Sequence, residues 1–375
     1  MRDLISTLPD AVLCYILSFL PTRDAVATSL LSKRWETLWL SVPILDINDD
    51  TYHQNDMPLP CFVKFAYAAI LALGVHQSVK RFCLLCEAYD DEPSFSDFNL
   101  WVRTAIRHGI EHLHLQMSFS VRLNLPCYIF SLKTLVVLKL NGLSVDSFSS
   151  VDLPSLKTLH LNRVNILEPR YFVNLLNGCP ILEDLEAKNI DFKILSDINS
   201  EGDFKILSNL VRADISQLNM FSVPLKVICN VGFLRIQKEL ITNFQVFPNL
   251  TQLELMIEGF VNLTFVFETL KRCPKLESFV LGETRYTDPI EEQVLPNPFI
   301  VPAFISSQLK KCCFVNYMGK EASLLLAKYI MQNSRALRTM KICSAIPSNT
   351  WQKLEMLKQL SLCPRSSATC ELLFE

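Results

Sequence analysis

Thirteen cysteines among 375 residues are the side chains with the widest chemical reach in this sequence. Cys83-x-x-Cys86 has the spacing of half a zinc site, but a structural zinc needs a second pair at a plausible interval, and none follows. Cys83 falls inside the alternating run Phe82, Leu84, which predicts a strand with packed thiols instead. His108, His112 and His114 cluster ahead of and within another strand pattern, with no carboxylate or cysteine at matched ligand spacing. Cys312, beside Lys310 and Lys311, is the best-placed thiol for a thioester, because neighbouring cations favour the thiolate. Cys312-Cys313 nevertheless reads as strand packing. Asp90-Asp91-Glu92 reads as a solvated lead into a helix containing Trp101, and no carboxylate pair points to acid–base work. The expectation is a chain with no catalytic residue, no metal and no cofactor; the dispersed Lys and Arg also offer no cluster for a small anionic ligand.

The elements that carry these residues repeat. Leu132, Leu135, Leu138 and Leu140 share a frame with Leu153, Leu156, Leu159 and Leu161. The frame returns at Leu182, Leu185 and Ala187; at Leu207, Leu210, Ala213 and Ile215; at Phe247, Leu250, Leu253 and Leu255; and at Cys273, Leu276, Phe279 and Leu281. Weaker copies are Ile110, Leu113, Leu115 and Val231, Leu234, Ile236. Taken at the last apolar position of each copy, successive frames lie 19 to 28 residues apart, the range of leucine-rich repeats with one strand each. Alternation puts the two final apolar side chains inward and the residue between them, such as Lys139 or His160, outward. Between frames, Glu168-Pro169-Arg170 opens a helix with Phe172, Leu175 and Leu176 on one face. A second runs from about Leu263 to Arg272, and both precede a Cys-Pro stop.

Composition narrows the class. Half the residues are hydrophobic, which excludes a disordered chain. Lys and Arg number 36 against 38 Asp and Glu, without the basic excess of a nucleic-acid binder. Glycine, 9 in all, leaves little for phosphate loops. Arg2, Asp3 and Asp10 interrupt any apolar leader, so no signal peptide is expected and scattered thiols fit a reducing compartment. Phe62 to Val75, with Lys64 inside it, is too short to span a bilayer and reads as a buried helix. The expected setting is cytoplasmic or nuclear, with no membrane and no nucleic acid.

Residues 1–45 form a compact helical pattern. Pro9 and Asp10 suit a first helical turn, Leu13, Ile16, Leu17 and Leu20 make an apolar stripe, and Ser32 is placed to cap a third short helix bearing Trp35, Leu38 and Trp39. About forty residues cannot bury this many large apolar groups among themselves, so some should meet a partner.

Leu8-Pro9-Asp10, Ile16-Leu17-Ser18-Phe19-Leu20-Pro21 and Leu31-Ser32-Lys33-Arg34-Trp35, followed by Leu38-Trp39, closely resemble a plant-type F-box. The resemblance implies a trihelical unit that docks on a Skp-type adaptor and, through it, on cullin and RING subunits. It carries over Leu8, Pro9, Leu13, Ile16, Leu17, Leu20, Pro21, Val26, Leu30, Leu31, Ser32 and Trp35 as the adaptor-facing or motif-core set. At the other end lie a strand from Leu309 toward Asn316, a helix with Leu325, Leu326, Tyr329 and Ile330, a strand from Leu337 to Ile342, and a helix from about Thr350 to Leu360. With the ending Pro364-Arg365-x-Ser367-x-x-Cys370, they resemble the FBD domain that follows leucine-rich repeats in many plant F-box proteins.

The fold expected is α/β: an F-box over 1–45, an irregular leucine-rich-repeat solenoid over 46–300, and an FBD-like unit over 301–375 that caps the last repeat. The resemblance implies a non-catalytic substrate receptor of an SCF-type ubiquitin ligase. The strand-lined face of the solenoid would hold the target through outward residues such as Lys139, His160, Glu186, Asp214, Arg235 and Glu254. An interaction scaffold that binds the adaptor without promoting ubiquitination would show the same features.

Overall fold

The structure, a computed structural model, describes residues 5–55, 57–74, 78–86, 94–118, 123–146, 150–194, 205–218, 225–238, 241, 245–258, 261–284, 305, 307–345 and 350–375. Val75 and the acidic stretch at 90–92 lie outside them. The chain divides into two compact units, one of residues 1–182 with 188–199 and one of residues 183–187 with 200–375.

The first unit begins with α1 (Asp10–Leu17) and α2 (Thr22–Ala27), each preceded by a proline in extended backbone, where a missing N–H costs nothing. The third helix expected after Ser32 is instead a run of turns ending in a 3-10 helix at Leu38–Ser41. The amides of Trp35, Leu38, Leu40 and Val42 donate three residues back rather than four, to Ser32, Trp35, Thr37 and Trp39, and Ser32 contributes its carbonyl and not a side-chain cap. Leu13, Leu17, Ala25, Trp35, Leu38 and Val42 close a small core, with Leu8, Cys14, Trp39 and Ile44 packed against it.

Parallel strands follow: β1 (Ile44–Asn48), β2 (Arg81–Cys86), β3 (His112–Met117), β4 (Val137–Asn141), β5 (Ser144–Val145), β6 (Thr158–Asn162) and β7 (Asn165–Ile166). Leu45, Phe82, Leu113, Leu138 and Leu159 align in register across β1, β2, β3, β4 and β6, all buried. The long connections between early strands make room for helices α3 (Asp50–His53) and α4 (Leu59–Leu71) before β2, and α5 (Phe95–Ile106) before β3. The apolar segment expected to be a buried helix is α4, whose Phe62, Ala66, Ala69 and Ile70 face inward while Leu71 is exposed. Its Phe62 meets Trp101 of α5 edge-on, at 6.2 Å between ring centroids. Ser94 and Asp97 cap the start of α5 reciprocally. Helix α6 (Pro169–Asn177) buries Phe172, Val173, Leu175 and Leu176, as its period predicts. Among the described residues no helix is long and apolar enough to cross a membrane.

Strand β8 (Asp184–Phe192) contributes residues to both units. In the second unit β9 (Arg212–Leu218), β10 (Phe233–Gln237), β11 (Gln252–Glu258), β12 (Ser278–Thr284), β13 (Lys311–Tyr317), β14 (Thr339–Ser344) and β15 (Glu371–Phe374) run parallel. Helices α7 (Leu263–Lys271), α8 (Glu321–Asn333) and α9 (Thr350–Ser361) fill the longer connections. Ala213, Leu234, Leu253, Phe279, Cys312, Met340 and Leu372 align rung to rung.

Many rungs start the same way. A single carbonyl accepts two successive amides of the next strand: Glu111 takes those of Val136 and Val137, Gly232 those of Thr251 and Gln252, Glu277 those of Lys310 and Lys311, and Lys310 those of Arg338 and Thr339. The last two cases lie beyond residue 300. The C-terminal segment adds β13, β14 and β15 to the same parallel ladder, with β15 at its edge.

Candidate docking surfaces

The F-box-like set separates by burial. Leu13, Leu17 and Trp35 are core, and Leu8 and Val26 are half-buried. Pro9, Ile16, Leu20, Pro21, Leu30, Leu31 and Ser32 are exposed. The predicted stripe splits because α1 ends at Leu17: Leu13 and Leu17 point inward, while Ile16 faces solvent and Leu20 lies past the helix. Leu30 is 88% exposed, Phe19 70%, Leu31 68% and Tyr15 66%, so this unit leaves several large apolar side chains in solvent. Tyr15 and Phe19 stand edge to face, with centroids 4.9 Å apart. Val12, Tyr15 and Phe19 are absent from the motif-derived set. The signal for Val12 and Tyr15 is the run Val12-Leu13-Cys14-Tyr15-Ile16-Leu17, apolar all round a helix on a unit too small to bury it.

On the ladder, Lys139, His160, Glu186, Arg235 and Glu254 lie on the outward face, each half-buried. Asp214 shares that face but is fully buried, so it is not the accessible residue the alternation predicts. Arg212 and Arg235 lie over its carboxylate, at 3.5 and 3.4 Å from Oδ2. Arg235 also reaches Glu254 at 2.5 Å, and Arg212 reaches Asp184 at 3.3 Å. In this row both arginines are ion-paired, each to two carboxylates.

The thiols offer little reactivity. Odd spacing on a strand sends Cys83 and Cys86 to opposite faces of β2, so the two cannot share a metal. Burial, reinforced by Asp46, pushes the Cys83 thiol up to about 11. Cys312 is buried and its thiol is driven well above the usual range, the reverse of an activated nucleophile. Among the described residues no group of His, Cys, Asp and Glu side chains is assembled to hold a metal ion.

Comparison with known proteins aligns with this geometry. Residues 5–46 match the F-box domain family, residues 98–208 the family described as "FBD-associated F-box protein At5g56370, LRR repeats", and residues 298–342 the FBD family. Along 99% of its length the chain is 30% identical to the whole of the Arabidopsis thaliana FBD-associated F-box protein At4g10400. It is 29% identical to the F-box/FBD/LRR-repeat protein At4g26340 of the same plant, with both chains covered completely. An N-terminal helical unit, leucine-framed parallel rungs and the later rungs β13 and β14 thus overlap the F-box, LRR and FBD matches in that order, and the chain belongs to the F-box/FBD/LRR-repeat family.

Proposed function

We propose that the chain is the substrate-recognition subunit of an SCF-type cullin–RING ubiquitin ligase. Its N-terminal unit docks a Skp-type adaptor, which links it to cullin and RING subunits, and the outward strand face holds the target protein. The observation that carries this reading is the exposed apolar set Val12, Tyr15, Ile16, Phe19, Leu30 and Leu31, within the stretch that matches the F-box family. Burying each of these side chains is worth about 1.5–3 kcal/mol, enough in sum to hold a partner after the cost of association. The combination of F-box and LRR domains supports a substrate-adaptor role in ubiquitin ligase complexes.

In this reading the chain makes and breaks no bonds. It raises the effective concentration of target lysines beside a ubiquitin carried by another subunit. The candidate target contacts are Lys139, His160, Glu186, Arg235 and Glu254, and the place of action is cytosol or nucleus. The test is capture of a purified Skp-type adaptor by the full chain, beside Leu30→Asp/Leu31→Asp and Leu8→Ala/Pro9→Ala. Capture that both variants lose supports the receptor. A folded wild-type chain that captures no adaptor sinks it, and capture without ubiquitin transfer to any bound target in a reconstituted ligase makes the chain a scaffold instead.

A further inference from the structure

The outward face of the first unit carries a block of basic side chains. Arg81 on β2 is in register with His112 on β3, and His114 with Lys139 on β4. Outward positions on adjacent strands stand about 4.8 Å apart, so these four side chains form one contiguous block. Arg81 is exposed and the other three half-buried.

Among the described residues two carboxylates, Asp46 and Glu111, act on this block. From β1, Asp46 reaches this face opposite Cys83, and burial raises its pKa despite the pull of Arg81. Glu111, just before β3, pairs with the Lys80 ammonium at 2.5 Å and also acts on the His112 imidazole. On the far side His160 of β6 is in register with Lys139, and Arg163 follows it. Gln116 hydrogen-bonds the His114 ring. Both imidazoles sit below their usual range: His112 through burial and then Arg81, His114 through burial and then Lys139. In the same row of the second unit Arg212 and Arg235 are each ion-paired to two carboxylates. Among the described residues the guanidinium and ammonium groups of Arg81, Lys139 and Arg163 on this face outnumber the Asp46 carboxylate, and such an excess is complementary to an anion.

We propose that Arg81, His112, His114 and Lys139 bind an anionic peptide segment of the target protein, laid across β2, β3 and β4 with its carboxylate or phosphate groups against the block. The proposal rests on the reading of the strand face as the target surface. A bound anion favours imidazolium, so affinity rises as pH falls through the imidazole range.

The test titrates labelled decaglutamate, decaglutamine and a phosphoserine-containing peptide into the full chain, with adaptor capture measured on the same samples. Decaglutamate is expected to bind at least about tenfold more tightly than decaglutamine, and to weaken about fivefold between about pH 6 and pH 8. Lys139→Glu is expected to lose about tenfold in affinity with thermal unfolding and adaptor capture unchanged, and Lys139→Gln to fall between. His112→Gln/His114→Gln should flatten the pH dependence. Preference for the phosphoserine peptide over decaglutamate assigns the anion to phosphate, and the reverse assigns it to carboxylate. Equal affinity for decaglutamate and decaglutamine overturns the proposal, as does undiminished binding by Lys139→Glu. Peptide binding without adaptor capture leaves the block standing and removes the receptor reading instead.

Discussion

The Arg34 guanidinium holds the Asp10 carboxylate at 2.6 Å, joining the first turn of α1 to the turn before Trp35. The same guanidinium donates to the Leu8 carbonyl at 2.5 Å. Both ion-pair partners are substantially exposed, so Arg34→Ala is expected to cost at most about 1 kcal/mol of stability. Trp35→Ala, one residue on, removes a core side chain and should cost about 3–5 kcal/mol. Urea unfolding of the two variants checks the contrast.

Leu13 and Leu30 belong to the same motif but answer to different forces. Leu13→Ala opens the core and should lower stability by about 2–5 kcal/mol. Leu30→Ala touches a side chain already in solvent, so stability should stay within about 0.5 kcal/mol while adaptor affinity falls by about 2 kcal/mol. Melting curves and adaptor titration together separate the two roles.

Glu283 in β12 is buried, accepts the Ser323 hydroxyl at 2.6 Å and lies 3.8 Å from the Lys320 ammonium. Burial outweighs both partners and raises its pKa. A carboxyl whose folded pKa lies above its unfolded value contributes stability at low pH that is lost as pH rises through the folded pKa. Glu283→Gln should therefore gain on the wild type as pH increases from about 4 toward neutrality, read from urea midpoints across that window. A constant difference between the two proteins at every pH would refute it.

Burial alone pushes the thiols of Cys179 and Cys273 up to about 12. Cys127, by contrast, is exposed. Under native conditions iodoacetamide should label Cys127 first and leave Cys179 and Cys273 intact until the chain is unfolded, as peptide mapping would read.

Gly142, just after β4, has φ +70°, and a Cβ there would stand 2.2 Å from the Met117 carbonyl oxygen. Gly142→Ala is expected to destabilise by on the order of 2 kcal/mol or more, through strained backbone and a clash that no rotamer relieves. Differential scanning calorimetry measures it.

Much of the ladder was legible because period-two alternation is local: Leu138 and Leu140, Leu159 and Leu161, and Leu253 and Leu255 all fall inward. Strands β1 and β15 lack the leucine frame and take their place only through long-range pairing with β2 and β14. The F-box-like motif located the N-terminal helical unit, but not which of its residues face solvent. That depends on where α1 stops and on the three-residue hydrogen bonding that turns Trp35 and Leu38 inward. Asp214 was misjudged for a related reason: alternation predicts its face, whereas its exposure depends on two arginines, Arg212 from its own strand and Arg235 from the next.

The in-register rungs divide each strand between two uses. Phe82, Leu113, Leu138 and Leu159 occupy one row and are buried; Cys83, His114, Lys139 and His160 occupy the next, on the opposite face, and are only half-buried. A substitution in the second row rewrites what the surface presents without disturbing the first. Such a chain can acquire a new binding preference one letter at a time while its scaffold stays fixed.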